Sequence, residues 1–234
     1  MIKLRKDVLL LIALAVIVLA GSLGMREGGV EPLDAIQCVT GVIDEKEDVD
    51  TPKIAITFDD GPHPYYTEQL LDGLKERGAK ATFFVMGKQA EAYPELVLRM
   101  HEEGHLVGNH TYSHMQLGKN NRETFKAELI KTNEVLQGIT GEEPQYVRPP
   151  YGSWDKNFET ELVMIPVLWT IDPMDWCSSD VKGIVKKVTQ KAKENAVILL
   201  HDEYESSVTA ALEIVDILQK QGYEFVTVDE ILFD

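Results

Sequence analysis

Cysteine is nearly absent from the chain: Cys38 and Cys177 are the only two among 234 residues. That scarcity excludes a disulfide-built scaffold and the multi-cysteine zinc folds, and a chain of this length can bury a core without such staples. Positive charge is also scarce. With 23 Lys and Arg against 39 Asp and Glu, the net charge of −16 repels nucleic acid and anionic polymers from most of the surface. No glycine-rich phosphate loop follows a strand-like run, which disfavours a doubly wound nucleotide-binding fold, and no internal repeat is visible. Histidine is rare too, six in all, yet four of them fall between residues 101 and 114, in HEEGHLVGNHTYSH.

Long apolar runs are limited to one, residues 8–20, behind Lys3, Arg5 and Lys6. A basic start, an apolar centre and the small-residue end Val18-Leu19-Ala20 form an export signal; extended through Met25, the same segment could remain as a membrane anchor. Under either reading the rest is extracytoplasmic, secreted or held at the cell surface. Residues 26–51 read as a linker ending in the acidic run Asp44, Glu45, Glu47, Asp48 and Asp50, and residues 52–234 as one catalytic domain, expected to be monomeric.

Within that domain, short β-rich apolar runs alternate with amphipathic stretches. Strands are expected at 53–58, 81–86, 105–109, 145–148, 165–171, 196–200 and 224–228. Helices are expected in YYTEQLLDGLKERG, PELVLRMHEEG, TFKAELIKTNEVLQG and SSVTAALEIVDILQKQG, each closing on a glycine. About seven βα units result, and Asp59, Asp60, His110, Arg148, Asp175 and His201 all fall at strand C-terminal ends, where a (β/α) barrel gathers its site. The fold class is therefore α/β, a distorted or incomplete barrel, with the short stretch between Gly152 and Ile165 as its degenerate unit.

Two metal sites compete for the histidines. His101-Glu102 and His105 spell H-E-x-x-H, which works as a protease site only inside one continuous helix. Gly104 interrupts it, His105 opens a strand, and Thr111 stands where the extended protease motif needs a third histidine. His110 and His114 instead follow a strand, where one helical turn would place both rings on one side. A carboxylate from another strand end would complete a two-histidine, one-carboxylate set, and Asp59-Asp60 supply one and a spare. Strand alternation predicts that these two carboxylates point in different directions.

TFDDGP (57–62), HTYSH (110–114), RPPYG (148–152), DPMDW (172–176) and ILLHD (198–202) together resemble the five ordered motifs of the polysaccharide deacetylases, the NodB-homology domain of carbohydrate esterase family 4. The resemblance spans residues 53–234. It implies removal of acetyl groups from an N-acetylhexosamine polymer, peptidoglycan or chitin-like, with an acetyl-xylan O-deacetylase or a silent sugar-binding module as the alternatives. It also implies a divalent ion, zinc or another first-row metal, on Asp60, His110 and His114. Asp59 would be the general base, held by Arg148, and His201 the general acid, kept as imidazolium by Asp175. The backbone N–H of Tyr151 would bind the oxyanion, and Trp176 and Leu199 would line the acetyl pocket. After export, Cys38 and Cys177 would share an oxidising compartment, and a disulfide between them is expected.

Overall fold

The computed structural model describes residues 51–155, 158 and 163–233. The leader, nearly all of the linker and Cys38 lie outside the described residues. The unit Asp50–Asp234 is compact. No helix of the described residues is long and apolar enough to cross a membrane.

Seven parallel strands form one sheet: β1 (Lys53–Asp59), β2 (Thr82–Val85), β3 (Leu106–Asn109), β4 (Tyr146–Val147), β5 (Ile165–Pro166), β6 (Ala196–His201) and β7 (Glu224–Val226). The order is β5-β4-β3-β2-β1-β6, and β7 pairs with the first half of β1, at Lys53, Ile54 and Ala55. Beyond β5 the chain leaves β4 and crosses to β6. Val167 N–H still donates to Val147 O, but Thr170 and Ile171 N–H donate to Val197 O at 2.9 and 3.1 Å. A single bridge, Ile171 to Ile198, thus curls the sheet round to its far edge. The expected strand 165–171 is therefore a two-residue strand, a crossing and a bridge, and its proline, Pro166, has no N–H for a longer ladder.

The helices are α1 (Tyr66–Glu76), α2 (Gly87–Ala92), α3 (Pro94–Glu102), α4 (Arg122–Thr140), α5 (Val181–Thr189), α6 (Glu205–Lys220) and α7 (Val228–Leu232). Between β4 and β5 the described residues contain the 3₁₀ turn Pro150–Gly152, and much of the stretch expected as a degenerate unit, residues 156–157 and 159–162, lies outside the described residues. Helix α4 runs through Gly138, expected to end it, and stops at Gly141, whose φ of +81° is the left-handed cap that glycine adopts without strain.

Alternation along the strands separates two packing layers. Ile54, Ile56 and Phe58 of β1, Phe83 and Val85 of β2, and Ile198 and Leu200 of β6 join Leu70, Leu74, Ile214 and Leu218 under the helices. Their neighbours Ala55, Phe84, Tyr146, Val167 and Val197 fill the inside of the curl. Gly108 must lack a side chain here, because a Cβ would lie 2.7 Å from the Phe84 ring. Above this apolar floor the inward positions turn polar: Thr57, Asp59, Arg148 and His201. The sheet therefore carries its chemistry at one end of its inner face.

Candidate active site

Arg148 is the largest fully buried side chain, and its surroundings explain how a cation can be tolerated there. Its Nη1 donates to Asp59 Oδ1 at 2.8 Å and to Thr57 Oγ1 at 2.5 Å, Nε donates to Val167 O, and Nη2 to Leu168 O. The guanidinium also lies 4.2 Å from the centroid of the Phe84 ring. A buried pair in which each guanidinium nitrogen makes a hydrogen bond holds Asp59 in place. Since Oδ1 is occupied, Oδ2 is the oxygen nearer the histidines, 3.8 Å from His110 Nε2.

Asp60 follows the last residue of β1 and has a φ of +73°. This left-handed turn overrides strand alternation: Asp59 and Asp60 do not diverge but line the same pocket of about 430 Å³. The helical turn expected after β3 is also absent. His110 and His114 are joined by a bend with Thr111 and His114 both left-handed, φ +63° and +62°. The rings still converge, with centroids 5.0 Å apart.

The ligand atoms of Asp60, His110 and His114 lie within 4.8 Å of one another. His110 Nδ1 is 2.6 Å from Arg148 O and so carries the proton, which leaves Nε2 as the lone-pair nitrogen. That Nε2 is 3.3 Å from Asp60 Oδ1, and His114 Nε2 is 3.4 Å from the same oxygen. Yet Asp60 Oδ1 is buried with no hydrogen bond. A carboxylate oxygen approached by two imidazole nitrogens, without a proton in line, has the donor set that a divalent cation satisfies. Burial pushes the Asp60 carboxyl up, but His110, His114 and His201 outweigh it and hold it below the ordinary range.

Across the pocket stands His201. Its Nδ1 donates to Asp175 Oδ1 at 2.9 Å, and Asp175 Oδ2 accepts from His201 N–H and Ser207 O–H. Burial lowers the imidazole's pKa, but the bond and charge of Asp175, reinforced by Asp59 and Asp60, raise it to about 9. The ring is thus protonated at neutral pH, with Nε2 3.9 Å from Asp60 Oδ2.

Leu199, Trp176 and Tyr151 complete the expected set. All three line the pocket; Leu199 is buried, Trp176 is half exposed, and the Tyr151 ring meets His114 edge-on at 4.8 Å. Trp169, Asp172 and Tyr204 line it too. Asp172 also makes the turn contact its position suggests, accepting from Met174 N–H. Trp169 and Tyr204 escape sequence reading because each is an isolated aromatic; the available signal for Tyr204 was its place three residues beyond His201 on the same loop. His101 and His105 are elsewhere. His101 lies in the last turn of α3, while buried His105 accepts the Ala81 N–H through Nδ1. Cys177 is exposed, and its thiol lies 3.2 Å from Met174 O.

A family model described as polysaccharide deacetylase matches residues 46–165. The peptidoglycan-N-acetylmuramic acid deacetylase PdaC of Bacillus subtilis is 40% identical over 80% of this chain and 40% of its own length. A peptidoglycan-N-acetylglucosamine deacetylase of Bacillus cereus is 39% identical over 75% of this chain and 66% of its own. This chain thus spans less than two thirds of either relative. The solved structure of PdaC superposes with a TM-score of 0.76, covering 78% of this chain and 91% of that one.

Proposed function

Because the chain belongs to the polysaccharide deacetylase family, we propose that it hydrolyses the N-acetyl groups of an N-acetylhexosamine polymer, peptidoglycan or chitin-like, outside the cytoplasm. The observation that carries this reading is the meeting, in one pocket, of the Asp60-His110-His114 donor set, an arginine-held carboxylate and an aspartate-held imidazolium. Hydrolysing an unstrained amide requires an activated water, stabilisation of the oxyanion and a proton for the leaving amine.

Asp60, His110 and His114 would hold a divalent ion, zinc or another first-row metal, which when bound supplies Lewis-acid polarisation of the water and the acetyl carbonyl. Asp59 takes the water's proton on Oδ2, because Arg148 occupies Oδ1. His201 delivers its Nε2 proton to the departing amine, and Asp175 keeps that proton in place until it is needed. The Tyr151 N–H donates to the oxyanion, while Leu199 and Trp176 wall the acetyl methyl. No side chain needs to form a covalent intermediate. In the exported protein, Cys177 would pair with Cys38.

Acetate release from peptidoglycan, chitooligosaccharides and acetyl-xylan, before and after chelation and zinc return, tests the proposal. Zinc-restored release from an N-acetylated polymer is the expected result. Release from acetyl-xylan alone, or from none of the three, would overturn it.

A further inference from the structure

The loop between His110 and His114 has no regular secondary structure, and two of its residues are left-handed, so its shape must be imposed from outside. Its first half is held by backbone: Gly87 N–H donates to Thr111 O at 2.9 Å and Lys88 N–H to Tyr112 O at 3.0 Å. Asn109 Oδ1 accepts Thr111 N–H, and Asn109 Nδ2 donates to Leu129 O and Asn133 Oδ1 on α4. Tyr112 is gripped by its side chain, with Lys131 over its ring and Glu91 accepting its hydroxyl proton.

Ser113, immediately before His114, is held differently. One side chain takes both its protons: Glu128 Oε2 accepts the Ser113 N–H at 2.6 Å and Oε1 accepts the hydroxyl at 2.9 Å. Glu128 is anchored in its turn, because α4 is fastened to the domain by buried Phe125, Leu129, Thr132 and Leu136 on either side of it in sequence. A two-point, charge-assisted contact fixes orientation as well as position. The peptide that it holds is Tyr112–Ser113, and the residue whose backbone and side chain it fixes together is the one immediately before left-handed His114.

We propose that Glu128 is a positioning residue of the metal centre, chelating Ser113 so that the His114 imidazole is aimed at the ion before the ion arrives. The proposal rests on the metal reading above. Partners that orient metal ligands typically contribute about 10- to 100-fold in metal affinity, and Glu128 acts one residue removed, at the lower end of that range.

The test is the zinc affinity of the whole chain, measured by competition with a chromophoric chelator, beside the melting temperature of chelated protein. Glu128→Ala should weaken zinc about tenfold, and Glu128→Gln, which keeps one acceptor, should recover part of the loss. Glu134→Ala removes an exposed charge from the same helix and should change affinity less than about twofold. Equal losses in Glu128→Ala and Glu134→Ala would mean that charge alone acts, and would overturn the proposal, as would unchanged affinity in Glu128→Ala. Should Glu128→Ala also melt early when chelated, Ser113→Ala decides: it leaves the helix intact and removes one of the two bonds, so weaker zinc supports the proposal and unchanged zinc overturns it. If His114→Ala leaves zinc binding intact, the metal reading falls and this proposal with it; loss in His114→Ala but not in Glu128→Ala sinks this proposal alone.

Discussion

Asp59 and Asp60 are sequence neighbours with different partners, Arg148 for the first and two histidines for the second. Replacing Asp59 with Asn should leave zinc bound while acetate release falls about 100- to 10,000-fold, the usual range for losing a general base. Asp60→Ala should lose the ion itself. Zinc content measured beside activity checks this, and an Asp59→Asn protein as metal-free as Asp60→Ala would refute the division of roles. Two other buried groups contribute opposing slopes to the pH response of stability. Burial pushes His105 down to about 4, so the unfolded chain takes up its proton first and stability is lost as pH falls from about 6.5. Burial pushes Asp202 up to about 7, against the bond from Thr67, so the folded chain holds that proton longer and stability is lost as pH rises from about 4 towards 7. Between about pH 4 and 6.5 the two slopes, each about 1.4 kcal/mol per pH unit, oppose one another. Asp202→Asn should therefore unmask a fall in stability on acidification, read from urea melts across that window; a profile as flat as wild type would count against it. The carboxylates and histidines were legible as residue types at strand ends. The left-handed φ of Asp60 was not, because nothing in D-D-G-P marks which aspartate makes the turn.

At the scale of elements, strand runs and their polar ends were readable because apolar residues must alternate with whatever faces the pocket. The helices with long amphipathic periods were readable too. Helix α2 was not, since GKQAEA is too short to show a period. The crossing between β5 and β6 was also hidden: its hydrogen bonds belong to a pairing with a strand far along the chain, which local pattern does not encode. Strand β4 is only two residues long, yet it delivers Arg148 into the curl, where the guanidinium bonds to β1 and to the crossing. Arg148→Met would fill much of that volume but strand Asp59 without its cation. A loss of about 3–5 kcal/mol in chemical denaturation is expected. Stability equal to wild type would show that the buried pair contributes nothing net to the fold.

For the whole molecule, the ion should act as a ligand of the folded state alone. Zinc at about 100 times its dissociation constant adds about 2.7 kcal/mol, which for a domain of this size raises the melting temperature by about 5–10 °C. Calorimetry with and without chelator measures it, and His110→Ala should abolish the difference. Six non-glycine residues among those described have left-handed φ, and five of them, Asp60, Thr111, His114, Tyr151 and Met174, belong to the motif loops around the pocket. Each such position costs on the order of 1 kcal/mol of steric strain for a side chain, a strain that glycine escapes only by losing more backbone entropy on folding. Under the proposed function, five strained positions gathered around one pocket are there for where they aim side chains and N–H groups, and the rest of the fold must over-determine them to keep them so.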